Sequence, residues 1–171
     1  VMLYAYGAYG DVEDPYFSTT LFPLLDKGLI YAVANIRGGG EYGKEWYDAG
    51  RLRNKKNTFT DFIACMNYLI DSGISSADKL AINGGSAGGL LIGAVVNMAP
   101  SKMKLAIADV HFVDPINTML DPSLPLTVQE YEEWGNPTDP EDFAYILSYS
   151  PYDNVSLQSY PDVLISSAWY D

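Results

Sequence analysis

The chemistry of this sequence is concentrated in the run Asn83-Gly84-Gly85-Ser86-Ala87-Gly88-Gly89. Gly84-x-Ser86-x-Gly88 has the spacing of a nucleophile elbow, in which a serine on a strained strand-to-helix turn stands clear of a sheet. Its hydroxyl is placed to attack an acyl carbonyl. Glycine two positions to either side lets strand and helix approach where side chains would collide. At the start of a helix the macrodipole favours developing negative charge, and the N–H of Ala87 points to where an oxyanion forms. Such a serine needs a base and an orienting carboxylate. With this elbow the chain order is serine, acid, histidine. Asp171 directly follows an apolar run and sits where the acid belongs. His111 is the single histidine and precedes that acid. It reads as a loop residue, and the base is expected beyond residue 171.

The surrounding pattern supplies the strand and the helix that an elbow requires. Short apolar runs rich in β-branched residues predict strands at about 1–6, 29–36, 79–83, 104–110 and 162–168. Between them, Phe59, Phe62, Ile63, Met66, Leu69 and Ile70 recur at three and four and predict a helix over 57–72. A second helix is predicted from Ala87 to about Met98, stopped by Pro100. Alternation of this kind, with strands apolar enough to be buried on both faces, predicts a parallel α/β sheet. Residues 111–161 break the rhythm as a long proline-rich, acidic insertion with a helix near 140–149. Insertions at strand ends are usually functional. Both ends of the chain fall within apolar runs, so 1–171 is expected to be part of a longer protein.

Gly38-x-Gly40-x-x-Gly43 formally matches a dinucleotide fingerprint after a strand. It leads into Lys44-Glu45-Trp46-Tyr47-Asp48-Ala49-Gly50 and the basic run 51–56, which does not resemble a phosphate-binding helix. A flexible loop at the sheet edge is expected instead. One cysteine, Cys65, and one histidine leave no disulfide framework and no cysteine- or histidine-rich metal site. No apolar run approaches the roughly 20 residues of a membrane span. The net charge of −12 argues against a nucleic-acid partner. That charge is uneven: every Lys and Arg lies between Lys27 and Lys104, and residues 105–171 hold acids alone. Such a field suits a cationic ligand, or is simply a solvated acidic surface.

Four stretches together resemble the catalytic domain of the prolyl oligopeptidase family of serine peptidases, nearest its oligopeptidase B branch. They are Ile36-Arg37-Gly38-Gly39-Gly40-Glu41, Asn54-Lys55-Lys56-Asn57-Thr58-Phe59-Thr60-Asp61-Phe62, Gly84-Gly85-Ser86-Ala87-Gly88-Gly89-Leu90-Leu91 and Glu130-Tyr131-Glu132-Glu133-Trp134-Gly135-Asn136-Pro137. The resemblance runs over essentially the whole chain. It implies an α/β-hydrolase fold and an N-terminal β-propeller, outside this chain, that restricts entry to short peptides. It implies Ser86 as nucleophile, Asp171 as triad acid, and a triad histidine after Asp171. Tyr6 matches the tyrosine that joins the Ala87 N–H in the oxyanion hole. Glu130 and Glu132 match paired carboxylates that favour Arg or Lys before the cut bond, and Phe112 matches an aromatic wall of that pocket. His111 departs from the family, which commonly has proline there. Without the resemblance, Tyr6 reads as a buried aromatic and Glu130, Glu132 and Glu133 read as one exposed acidic face.

The expectation is therefore a serine oligopeptidase that hydrolyses short basic peptides after Arg or Lys, with no metal or organic cofactor. This segment alone, without the base, is expected to be inactive. A same-fold esterase or aminopeptidase-like hydrolase is one alternative, and a binding module without catalysis is another. A free cysteine and the lack of a targeting segment fit a cytoplasmic protein.

Overall fold

The computed structural model describes residues 1–168. Strands β1 (Met2–Tyr4), β2 (Tyr31–Val33), β3 (Ala81–Gly85), β4 (Leu105–Asp109) and β5 (Asp162–Ser166) form one sheet in the order β2-β1-β3-β4-β5. Every pairing is parallel. Parallel neighbours need crossovers, and the helices supply them. They are α1 (Phe22–Leu25), α2 (Lys44–Asp48), α3 (Lys56–Asp71), α4 (Ala87–Met98), α5 (Pro115–Leu120), α6 (Tyr131–Trp134) and α7 (Pro140–Leu147). This is the α/β arrangement the sequence predicts; β1, β2, β4 and β5 are shorter than their apolar runs, and β3 is as long as its run but begins two residues later and takes in Gly84 and Gly85.

The register places Leu3 beside Ile82, and Ile82 beside Ala106. These three are buried, together with Phe59, Phe62 and Met66 of α3 and Leu90, Leu91 and Val95 of α4. The helical spacing of the aromatic and aliphatic positions in 57–72 thus marks the face of α3 that meets the core. Within this chain the strands are covered to different degrees. β3 and β4 alternate buried with half-buried positions, and β5 is exposed at all five. The covered face is the one on which α3 and α4 pack over the Leu3–Ile82–Ala106 row.

The glycine run after β2 is not a loose loop. A Cβ on Gly40 would lie 2.2 Å from the Gly10 carbonyl oxygen, so the run packs directly on the turn that follows β1. It then opens α2, whose first turn carries Glu45, the wrong sign for a phosphate. Two of the motifs that carry the family resemblance are fastened together here. Arg37 Nε donates to Asp61 Oδ2 at 2.7 Å in a two-pronged ion pair, and Thr58 Oγ1 donates to the Arg37 carbonyl at 2.7 Å.

The charge asymmetry along the sequence is cancelled in part in space. Arg53 reaches Asp139, Glu141 and Asp142 at the start of α7, and Lys55 reaches Glu133 of α6. The basic run 51–56 therefore neutralises part of the acidic insertion, which the linear sequence leaves without counter-charge. Asp139 also caps α7, accepting from the Glu141 N–H at 2.8 Å.

Candidate active site

Ser86 sits between the end of β3 and the first residue of α4, with φ 55° and ψ −118°. A non-glycine residue there costs of order 1–3 kcal/mol, which the neighbouring bonds must hold in place. The Ser86 N–H donates to the Asp109 carbonyl at 2.9 Å, and the Phe112 N–H donates to the Ser86 carbonyl at 3.3 Å. The elbow is thus pinned to the end of β4 and the loop beyond it, while Ser86 itself is exposed. The flanking glycines are steric necessities. A Cβ on Gly84 would lie 2.5 Å from the Gly88 carbonyl oxygen, and one on Gly88 would lie 2.8 Å from that of Ala5. Gly84→Ala in the full-length protein is expected to lower stability by about 2 kcal/mol and turnover at least about tenfold, because backbone must move to admit the methyl. Chemical unfolding and a steady-state assay check it; a variant with unchanged values would refute the steric argument.

Tyr6 follows β1, and its side chain lies near enough to Ser86 for the two to interact. Burial raises the Tyr6 pKa above the usual tyrosine value, while the Ser86 contact pulls it the other way. The phenol therefore stays protonated and able to donate. Ala87, buried at the first position of α4, presents one of the N–H groups that a helix start leaves without an intrahelical partner. The structure places Tyr6 against the start of α4, where a Cβ on Gly88 would lie 3.4 Å from Tyr6 Cα, so Tyr6, Ser86 and Ala87 are neighbours.

Beside them lies a cavity of about 160 Å³ walled by Tyr9, Ala87, Phe112, Met119, Thr127 and Glu130. A larger one of about 620 Å³ shares Phe112, Thr118 and Pro125 with it and extends along His111 and Asp114. The Phe112 ring packs on Trp134, centroids 5.4 Å apart. Glu130 takes a 2.7 Å hydrogen bond from the Trp134 indole, and Tyr9 shares the cavity wall with it. Neither Glu130 nor Glu132 enters an ion pair among the described residues. Glu132 is exposed on α6 and does not line the smaller cavity. His111 lies in the loop after β4 with its Nδ1 buried and unpartnered among the described residues. Asp171 lies outside the described residues.

The three neighbouring glutamates are not one acidic face. Glu130 lines the cavity, Glu132 is in solvent, and Glu133 is buried in an ion pair with Lys55 at 3.5 Å, side chains 3% and 2% exposed. Burial pushes the Lys55 pKa down to about 8, against the pull of Glu133. The sequence reading did not single out Lys55, Glu133 or Tyr9. A lysine inside a run of basic residues gives no sign that it alone points inward. Among the described residues, no group of three or more His, Cys, Asp or Glu side chains is arranged to hold a metal ion, and no helix is long and apolar enough to cross a membrane.

Comparison with known proteins agrees with this geometry. The chain is 53% identical over 171 residues to dipeptidyl aminopeptidase BI of Pseudoxanthomonas mexicana, and 50% identical to protease 2 of Moraxella lacunata. Both matches take in the whole chain but only 24% and 25% of the relatives, so the chain spans about a quarter of their length. Among solved structures, oligopeptidase B from Leishmania major superposes with a TM-score of 0.93 at 51% identity, over 96% of this chain and 23% of that one. Oligopeptidase B from Trypanosoma brucei, with covalently bound antipain, gives 0.94 at 52% identity, over 96% of this chain and 23% of that one. Its sheet and flanking helices are those of an α/β-hydrolase catalytic domain. The model of the prolyl oligopeptidase family matches residues 15–171, and the chain belongs to that family of serine peptidases.

Proposed function

We propose that the protein containing this chain hydrolyses short peptides on the carboxyl side of Arg or Lys, through an acyl-enzyme on Ser86. The observation that carries this reading is the Glu130 carboxylate, which lines the cavity beside Ala87 and has no ion-pair partner among the described residues. A carboxylate in a partly dry pocket is costly until a cation arrives, and a guanidinium gives it two parallel charge-assisted bonds. Glu132, exposed nearby, adds to the attraction at the entrance.

In the mechanism, Ser86 Oγ attacks the scissile carbonyl carbon while a histidine beyond residue 171, oriented by Asp171, takes the hydroxyl proton. The Tyr6 hydroxyl and the Ala87 N–H receive the negative charge on the tetrahedral oxygen. Collapse expels the amine, which takes the proton from the histidine. Water then repeats the sequence on the ester and frees Ser86. An N-terminal propeller, as the resemblance implies, would admit short peptides only, and the cytoplasm is the proposed site of action.

The identity to a dipeptidyl aminopeptidase favours one second reading, removal of dipeptides from free amino termini. An amino-terminally blocked Arg peptide separates the two, since only the oligopeptidase cleaves it. The Glu130→Gln, Glu132→Gln double variant of the full-length protein tests the pocket. kcat/KM on Arg peptides is expected to fall about a hundredfold, and on apolar peptides less than about threefold, because a charge-assisted bond is worth about 1.5–3 kcal/mol. Equal losses on both substrates would overturn the pocket assignment.

A further inference from the structure

The turn that carries Tyr6 is held from below by a buried charge pair that takes no part in the chemistry just described. Lys55 Nζ donates to the Gly7 carbonyl at 2.8 Å, immediately after Tyr6. Glu133 Oε1 accepts from the Tyr9 N–H at 3.2 Å, and its Oε2 accepts from the Tyr47 hydroxyl at 2.7 Å. The two side chains meet at 3.5 Å, and the Lys55 ammonium also lies 4.8 Å over the Trp134 ring. The turn therefore has one charged anchor on each side of its bend, one from the start of α3 and one from α6. Gly7, at φ +70°, is packed so closely that a Cβ would lie 2.7 Å from Thr58 Cγ2. Two apolar residues would fill the same space, and a buried ion pair is weak evidence for stability alone. What the pair adds is direction, since each charge fixes one backbone group of the turn.

We infer that Lys55 and Glu133 are positioning residues, which fix the Tyr6–Tyr9 turn so that the Tyr6 hydroxyl meets the oxyanion. This inference rests on the serine-peptidase reading of Ser86 and Tyr6. It identifies a structural link between the acidic insertion and the oxyanion hole: Glu130, the residue that caps α6, is the pocket carboxylate, and Glu133 within α6 anchors the donor.

The test is a double-mutant cycle in the full-length protein, with Glu133→Gln and Tyr6→Phe alone and together, read as kcat on a blocked Arg peptide. Glu133→Gln is expected to lower kcat by about tenfold to a hundredfold, the scale set by a misplacement of the order of 1 Å. In the Tyr6→Phe background it is expected to lower kcat by less than about threefold, because the hydroxyl it positions is already gone. Tyr47→Phe, at a half-buried ring, loosens Glu133 without stranding a buried charge. It carries the same cycle with a smaller first loss, about three- to tenfold, should Glu133→Gln not fold. Losses of the same factor in both backgrounds, or no loss in either, would overturn the inference. A wild-type protein that leaves the Arg peptide intact would instead overturn the function on which it rests.

Discussion

Ser86→Ala in the full-length protein is expected to abolish peptide hydrolysis, with turnover falling by about 10⁴-fold or more. The effect is the largest expected because no other side chain occupies the elbow. The strained backbone at φ 55° leaves the Ser86 side chain exposed between β3 and α4. Alanine keeps the fold, since the Ser86 N–H and carbonyl, not its hydroxyl, hold the elbow to Asp109 and Phe112. A phosphonate probe should label the wild-type protein on Ser86 and leave the variant unlabelled. Wild-type turnover in the variant would remove Ser86 from the mechanism and turn attention to a hydrolase site elsewhere, or to a protein that binds peptides without cutting them.

The second large effect is expected from Tyr6→Phe, a fall in kcat of about 10²–10³-fold with KM nearly unchanged. The reason for the split is that the hydroxyl contributes where charge develops. It meets a neutral carbonyl weakly in the ground state and an oxyanion strongly in the transition state. Its raised pKa keeps it a donor through the alkaline range, so the wild-type advantage over Tyr6→Phe should persist there. Steady-state kinetics on a single Arg peptide separate the two constants. A change confined to KM would make Tyr6 a substrate-binding residue, and no change would leave the Ala87 N–H as the sole donor argued from this chain.

The elements that proved legible are those whose signal is local. The strand–turn–helix around Ser86 is marked by glycines that sterics demand, and α3 by an apolar stripe that recurs every three or four residues. The fold class follows from their alternation. The least legible part was the insertion at 111–161, where the helix expected near 140–149 is found as α7 but the shorter helices and turns before it carry no period. The three glutamates of α6 and its cap are neighbours in sequence, yet each meets a different environment. Tyr6 and Phe112 were placed at the site by family resemblance, not by any pattern of their own. Tyr9, which lines the same cavity as Glu130, had no signal at all.

Sequence alone determined the elbow that carries Ser86, the parallel sheet and the family, because the elbow needs particular residue types at fixed spacing along one stretch of backbone. Tertiary structure decided the charges. The basic run 51–56 and the acidic insertion lie far apart in the chain, and only their packing shows which charges cancel, which pair is buried, and which carboxylate is left facing the pocket. Coulomb energies depend on distance and burial in space, and neither quantity is written in the order of residues.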